Sequence, residues 1–369
     1  MRRFNGYMHG IDIGGWLSQC NYSKEHLDNF ITEEDIKRIK GWGCDHVRVP
    51  VDYNIFQDEN GFIESGFDYV QKCIDWCGNN GINMILDLHK TMGFFFDKAQ
   101  AESGFFDNAD LQQKFYDLWE EFAKRFSKYS DRVSFELLNE VTDPKFSKKW
   151  NAIVENAIKL IRKYSADINI IVGSYWNNSI DSMKDLDKPY DEHIVYTFHC
   201  YDPFLFTHQA AYWVDEMPRD FRIDYPGSVP KYRTEIKRLG LEYMQTYEEV
   251  KTEKFTPDYF MGRFAEAVRV AEERNVPMYC GEYGVINLAS AENTLNWYKD
   301  ISSAFEKCSI GRAAWSYKGV DYGFIDGHLD SVLDELVKYL YRSFLNITPF
   351  LDKLGHVCRA CFFMLSFIN

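Results

Sequence analysis

Two glutamates, Glu140 in Phe135-Glu136-Leu137-Leu138-Asn139-Glu140 and Glu282 in Gly281-Glu282-Tyr283-Gly284, each close a short run of apolar residues. A carboxyl at the end of such a run is costly to bury without a partner or a task. Two of them facing one space have the groups that acetal hydrolysis needs. One donates a proton to the leaving oxygen while the other meets the anomeric carbon. In that chemistry Glu140 is the general acid/base and Glu282 the nucleophile. A carboxyl separation of about 5 to 5.5 Å would make the reaction retaining. The plainer alternative is a pair of salt-bridged glutamates.

Other polar residues close similar runs: Arg48, His89, Asn139, His199 with Tyr201, and Trp315. Arg48 and the Tyr201 hydroxyl would hold Glu282 ionised, and the nearby negative charge would keep Glu140 protonated. His199 would position or relay that proton, Asn139 would bond a sugar 2-OH, and Trp315 would lie flat under the sugar. Singly, each has a simpler role: Arg48 bridging an acid, His89 satisfied structurally, Trp315 in the core. Together they form a constellation of acid, base, clamp, two imidazoles and a stacking ring.

Groups of this kind converge when they stand at the C-terminal ends of parallel strands in a barrel. The pattern predicts strands near 7–13, 44–49, 82–88, 132–138, 168–173, 193–199, 276–281 and 311–316. Helical patterns fit 32–41, 66–80, 109–129, 145–164, 258–274, 289–308 and 331–345, with a short fifth crossover at 179–189. Eight strands alternating with helices predict a (β/α)8 barrel in the α/β class. In that barrel strands four and seven, which end in the two glutamates, lie across from one another. A doubly wound sheet is the competing architecture, but Gly14-Gly15 after the first strand lacks the spaced third glycine of a dinucleotide fingerprint. Residues 203–257 are too long for a plain loop and predict a small subdomain inserted after strand six, on the face where barrel sites lie. The single catalytic unit is then 1–350, with 351–369 a tail of uncertain origin.

Composition narrows the function classes. Of 369 residues, 17% are aromatic, which suits stacking on sugars as well as filling cores. A net charge of -14 argues against nucleic acid, whose binding draws on clustered Lys and Arg. No run of about 18 apolar residues predicts a membrane span, and no apolar h-region follows Arg2 and Arg3. The chain as given therefore reads as soluble and cytoplasmic, or as secreted if a signal was removed. Nine scattered cysteines read as reduced thiols. Cys358 and Cys361 form one C-x-x-C, short of the four ligands a zinc site takes.

The chain resembles glycoside hydrolase family 5, the cellulase A family, over roughly residues 5–345. The motifs are His46-Val47-Arg48-Val49-Pro50, Leu86-Asp87-Leu88-His89, Leu138-Asn139-Glu140, Thr197-Phe198-His199-Cys200-Tyr201, Gly281-Glu282-Tyr283-Gly284 and Ala314-Trp315-Ser316-Tyr317. Gly14-Gly15-Trp16-Leu17-Ser18-Gln19, Ser23-Lys24-Glu25-His26 and Phe206-Thr207-His208-Gln209 are similar to the endoglucanase C type of that family. The resemblance implies a retaining hydrolase of β-1,4-glucan and mixed-linkage β-1,3-1,4-glucan, with mannan- and xylan-active relatives sharing the same catalytic set. It implies Glu140 and Glu282 as catalytic residues and Arg48, His89, Asn139, His199, Tyr201 and Trp315 around them. It also implies Trp213 in the insertion as a wall for a sugar beyond the cleavage point, no cofactor or metal, and a monomer. One departure is Lys90, where that type often carries a second histidine. Two rivals remain: a metal-dependent hydrolase on His89, His199 and Glu282, which lacks a first-strand His-x-His, and a sugar-binding barrel without catalysis.

Overall fold

A computed structural model describes residues 1–97 and 102–341. Eight parallel strands close into a barrel: β1 (Gly10–Asp12), β2 (His46–Asp52), β3 (Asn83–Lys90), β4 (Val133–Glu136), β5 (Ile170–Val172), β6 (Ile194–His199), β7 (Met278–Tyr283) and β8 (Gly311–Ala314). Closure is made by β8 pairing with β1 through Gly10↔Ala313 and Ile11↔Ala314. A closed parallel barrel rather than a doubly wound sheet is therefore the architecture, and every predicted strand is present.

Helices Glu33–Trp42, Glu64–Asn80, Ala109–Phe126, Ser147–Ile161, Pro257–Arg274, Ala291–Cys308 and Leu333–Tyr341 occupy the predicted crossovers, with a 3-10 turn Ile180–Asp185 at the short fifth one. Local chemistry sets their ends. Thr32 and Asp35 form a capping box at the first, and Gly43 closes it in a left-handed conformation. Pro257 starts the fifth and Asn275 ends it with φ 52°. The prediction missed the six-residue helix Lys24–Asn29 and the hairpin strands Gln57–Asp58 and Gly61–Phe62, which are too short to show a period. Residues 342–369, including the end of the last predicted helix and the Cys358–Cys361 pair, lie outside the described residues.

Alternation along the strands sorts residues between the barrel interior and the helical layer. Val47, Val49 and Val51 of β2 and Met84, Leu86 and Leu88 of β3 join the large outer core. Inside, Phe4, Tyr7, Ile85, Ile171, Val195, Tyr279 and Ala313 form a separate apolar plug at the bottom. Above the plug the interior is polar: Asp12, Arg48, Asp87, Ser134, Glu136 and Thr197 are all fully buried. A charged layer at that depth needs internal partners.

The insertion carries helices Phe204–Thr207 and Val229–Leu239 and an isolated bridge Ser228↔Lys254. It is held to the barrel by polar ties, Tyr225 to Asp300 at 2.9 Å and Gln245 to both Asp202 and Tyr259. Among the described residues no helix is long and apolar enough to cross a membrane, and Cys20, Cys44, Cys73, Cys77, Cys200, Cys280 and Cys308 are free thiols.

Candidate active site

Arg48, inward on β2, is the hub of the charged layer. Its Nε and Nη2 grip Glu136 at 2.7 and 3.1 Å, Nη2 also reaches Asp87 and Asn139 Oδ1 at 3.0 Å each, and Nη1 reaches Asp12 at 3.1 Å. Nη1 further donates to Glu282 Oε1 at 2.9 Å. Burial disfavours the guanidinium's charge, but four carboxylates outweigh it and raise its pKa further.

Glu282 reaches the interior because of a bulge. Tyr279 points inward and Cys280 outward, so strict alternation would turn Glu282 away. The β6–β7 register shifts at this point and pairs His199 with Glu282, which brings the carboxyl in. Gly281 permits the kink, since a Cβ there would lie 3.0 Å from Thr197 Oγ1 and 3.1 Å from His199 Nε2. Tyr201 Oη then donates to Glu282 Oε2 at 2.9 Å. On the opposite lip Glu140 stands just past β4 with φ 47°, a left-handed conformation rare for a residue with a side chain.

Glu140 Oε1 is 2.7 Å from His199 Nδ1, and Oε2 accepts from Asn177 Nδ2 at 2.9 Å. His199 Nδ1 is also 3.5 Å from Glu282 Oε2, so one imidazole stands between the two carboxyls. Burial raises the Glu140 pKa, against the opposing Asn177 hydrogen bond. Burial, rather than the neighbouring negative charge expected from the sequence, is thus the main cause. Burial likewise holds His199 neutral, with its pKa pushed down to about 4.

The remaining predicted residues lie around this pair. Asn139 bridges Arg48 and His89, whose Nε2 is 3.4 Å from Asn139 Nδ2. His89 Nδ1 is held by Asp87 at 2.7 Å, and its ring lies parallel to Trp315, centroids 5.7 Å apart. Trp213 stands further out, 43% exposed, beside His208 and Tyr322. Lys90 is tied to Glu102 at 2.8 Å, under the rings of Tyr53 and Phe95, so its ammonium belongs to the loop wall. Sequence reading missed Asn177 and Asn178, which follow β5 with φ 55° and 54°. Two asparagines after a strand were the available signal, since Asn tolerates that conformation. It also missed Asp12 and Glu136, which alternation places inside with Arg48.

One oxygen each of Glu140 and Glu282 and one nitrogen of His199 lie within 4.8 Å of one another. His89 does not join that set. A cation there would meet the Arg48 guanidinium already bonded to Glu282, a like charge beside one of its three donors.

A barrel with two carboxylates facing each other across its mouth is the arrangement of a glycoside hydrolase. Residues 11–321 match the cellulase family, glycosyl hydrolase family 5, and the chain belongs to that family. It is similar to cellodextrinase A of Ruminococcus flavefaciens, 44% identical over 313 residues that cover 85% of this chain and 86% of the relative. Endoglucanase C of Acetivibrio thermocellus is 35% identical over 339 residues, 90% of this chain and 97% of the relative. An endoglucanase structure from the hyperthermophilic Thermotoga maritima shares the fold with a TM-score of 0.71 at 22% identity, covering 91% of this chain and 97% of that one.

Proposed function

We propose that the chain is a retaining endo-β-1,4-glucanase acting on β-1,4-glucan and mixed-linkage β-1,3-1,4-glucan by double displacement. The observation that carries this reading is that His199 Nδ1 lies 2.7 Å from Glu140 Oε1 and 3.5 Å from Glu282 Oε2, so the two carboxyls face each other across a single imidazole nitrogen. Carboxyls held by one nitrogen favour the close spacing of retaining enzymes, about 5 to 5.5 Å, over the about 6.5 to 9.5 Å at which inverting ones admit a water.

In the first step Glu282 attacks the anomeric carbon while Glu140 gives its proton to the leaving glycosidic oxygen, and an ester to Glu282 forms. In the second, Glu140 takes a proton from water, which attacks the same carbon and releases Glu282. Arg48 and Tyr201 hold the Glu282 oxygens, each at 2.9 Å, so the nucleophile is oriented. Asn139 Oδ1 is committed to Arg48 and one Nδ2 hydrogen to His89, which leaves the other Nδ2 hydrogen to donate to a sugar hydroxyl.

His199 and Asn178 accommodate both states of Glu140. With Glu140 ionised, His199 Nδ1–H donates to Oε1 and Nε2 accepts from Asn178 Nδ2, 3.3 Å away. Asn178 Oδ1 is then buried without a partner. With Glu140 protonated, its O–H donates to Nδ1, and the Nε2–H meets Asn178 Oδ1 after the amide turns over. Asn offers both donor and acceptor from one position.

The 44% identity to a cellodextrinase favours a second reading in which short gluco-oligosaccharides are the main substrate. One experiment addresses both. Carboxymethyl cellulose, barley β-glucan, xylan, mannan and cellotetraose are assayed side by side in excess EDTA, and the first-formed product is followed by proton NMR. Activity on the glucans with β-anomer first is expected. An α-anomer first would overturn retention, loss of activity in EDTA would favour a metal mechanism, and turnover of cellotetraose alone would select the second reading.

A further inference from the structure

The chain leaves β5 through Trp176, Asn177 and Asn178, three consecutive residues in the left-handed conformation with φ 52°, 55° and 54°. Such a run is rare for residues with side chains, and this one is held from outside the segment. The Trp176 N–H donates to the Thr142 carbonyl at 3.3 Å and the Asn177 N–H to the Val141 carbonyl at 3.0 Å. The turn is thus tied to the two residues that directly follow Glu140. From that fixed backbone the Asn177 amide reaches Glu140 Oε2 at 2.9 Å.

Asn177 Nδ2 is a donor only, so Oε2 accepts from it whether Glu140 is protonated or ionised. The bond is not equally strong in the two states, because a charged oxygen accepts about twice as strongly as a neutral one. Burial raises the Glu140 pKa, and the Asn177 bond opposes it. Other groups face the same carboxyl. His199 of β6 bonds Oε1 and is kept neutral by burial, while His89 of β3 and Arg48 of β2 act in the same direction as Asn177 at longer range. Asp87 of β3 is a nearby acid, and Glu282 of β7 lies on the far side of His199. Tyr201 and Tyr322 are buried phenols whose pKa values are raised well above the usual one, so they stay protonated. Asn177 differs from all of these in having no charge state of its own.

We propose that Asn177 is a positioning residue for the acid/base: its amide anchors Glu140 Oε2 from the left-handed turn and binds the ionised carboxyl more tightly than the protonated one. This rests on the glucanase reading. Without the amide, burial has less to oppose it, and Glu140 keeps its proton to higher pH.

The test follows kcat/KM against pH for wild type, Asn177→Gly and Asn177→Asp on two substrates. Cellotetraose has a leaving group that needs the proton, and dinitrophenyl β-cellobioside has one that does not. Glycine keeps the left-handed backbone without the amide, and aspartate keeps the shape while setting a like charge against Oε2. On cellotetraose the alkaline limb is expected about one pH unit higher in Asn177→Gly than in wild type, the scale of a charge-assisted hydrogen bond. In Asn177→Asp it should lie higher again. On the dinitrophenyl substrate Asn177→Gly should stay close to wild type. An alkaline limb left in place, with equal losses on both substrates, would overturn the assignment and make Asn177 a structural residue. A limb moved to lower pH would overturn it too, because Asn177 would then be favouring the protonated acid. Wild type inactive on both substrates would overturn the glucanase reading itself.

Discussion

Glu140 and Glu282 carry the same functional group, and what separates them is their partners. Glu282 is held by a cation and a phenol, Arg48 and Tyr201. Glu140 has a neutral imidazole and an amide, and burial raises its pKa. The activity of wild type should therefore fall as pH rises through the raised Glu140 pKa, because the acid is lost. In Glu140→Ala that alkaline limb should vanish on an aryl glycoside whose leaving group needs no proton, while substrates with poor leaving groups lose about 10²- to 10⁴-fold. Azide should rescue Glu140→Ala as the β-glycosyl azide and Glu282→Ala as the α-glycosyl azide, read by NMR. Swapped anomers would mean the roles are exchanged.

At the scale of elements, the site depends on two departures from regular strands. The register shift on β7 turns Glu282 inward, and the left-handed backbone at Glu140 aims the other carboxyl across the barrel. Gly281 serves the first: a methyl there would crowd Thr197 and His199 at 3.0 and 3.1 Å. Overpacking of this kind costs about 1 to 3 kcal/mol, and here the movable neighbour is the imidazole between the carboxyls. Gly281→Ala should lower kcat/KM at least tenfold while the chain stays folded by circular dichroism. A large drop in melting temperature with activity per folded molecule unchanged would place the role of Gly281 in stability alone.

For the whole molecule, the cost lies in the charged layer sealed inside the barrel. Arg48 faces Asp12, Asp87, Glu136 and Glu282, one cation among four acids. Burial raises Asp12 and Glu136 and pushes Asp87 up to about 7. Such a group binds its proton more tightly folded than unfolded, where an aspartate titrates near 3.9. Its contribution to stability is then fully present below the unfolded pKa and is lost as pH rises through about 7. Melting temperature should fall between about pH 4 and pH 7 and level off above, and Asp87→Asn, which keeps the shape without the charge, should flatten that fall. A variant that melts with the same pH dependence as wild type would show that Asp87 is not the titrating group.

The order of elements and the residues that close each strand were legible in the chain alone, because strand alternation and helix periodicity are local. Val47, Val49 and Val51 announce an outer face, and the polar group after each run announces the rim. Helix limits such as Thr32 and Gly43 follow from capping chemistry within a few residues. The tertiary structure decided what depends on pairs remote in sequence. The Glu282 bulge depends on how β6 and β7 register, and the Arg48 network joins five strands. Asn177 and Asn178 acquire meaning only from neighbours that closure brings beside them. Periodicity records which face a side chain takes; closure of the barrel decides whom it meets there.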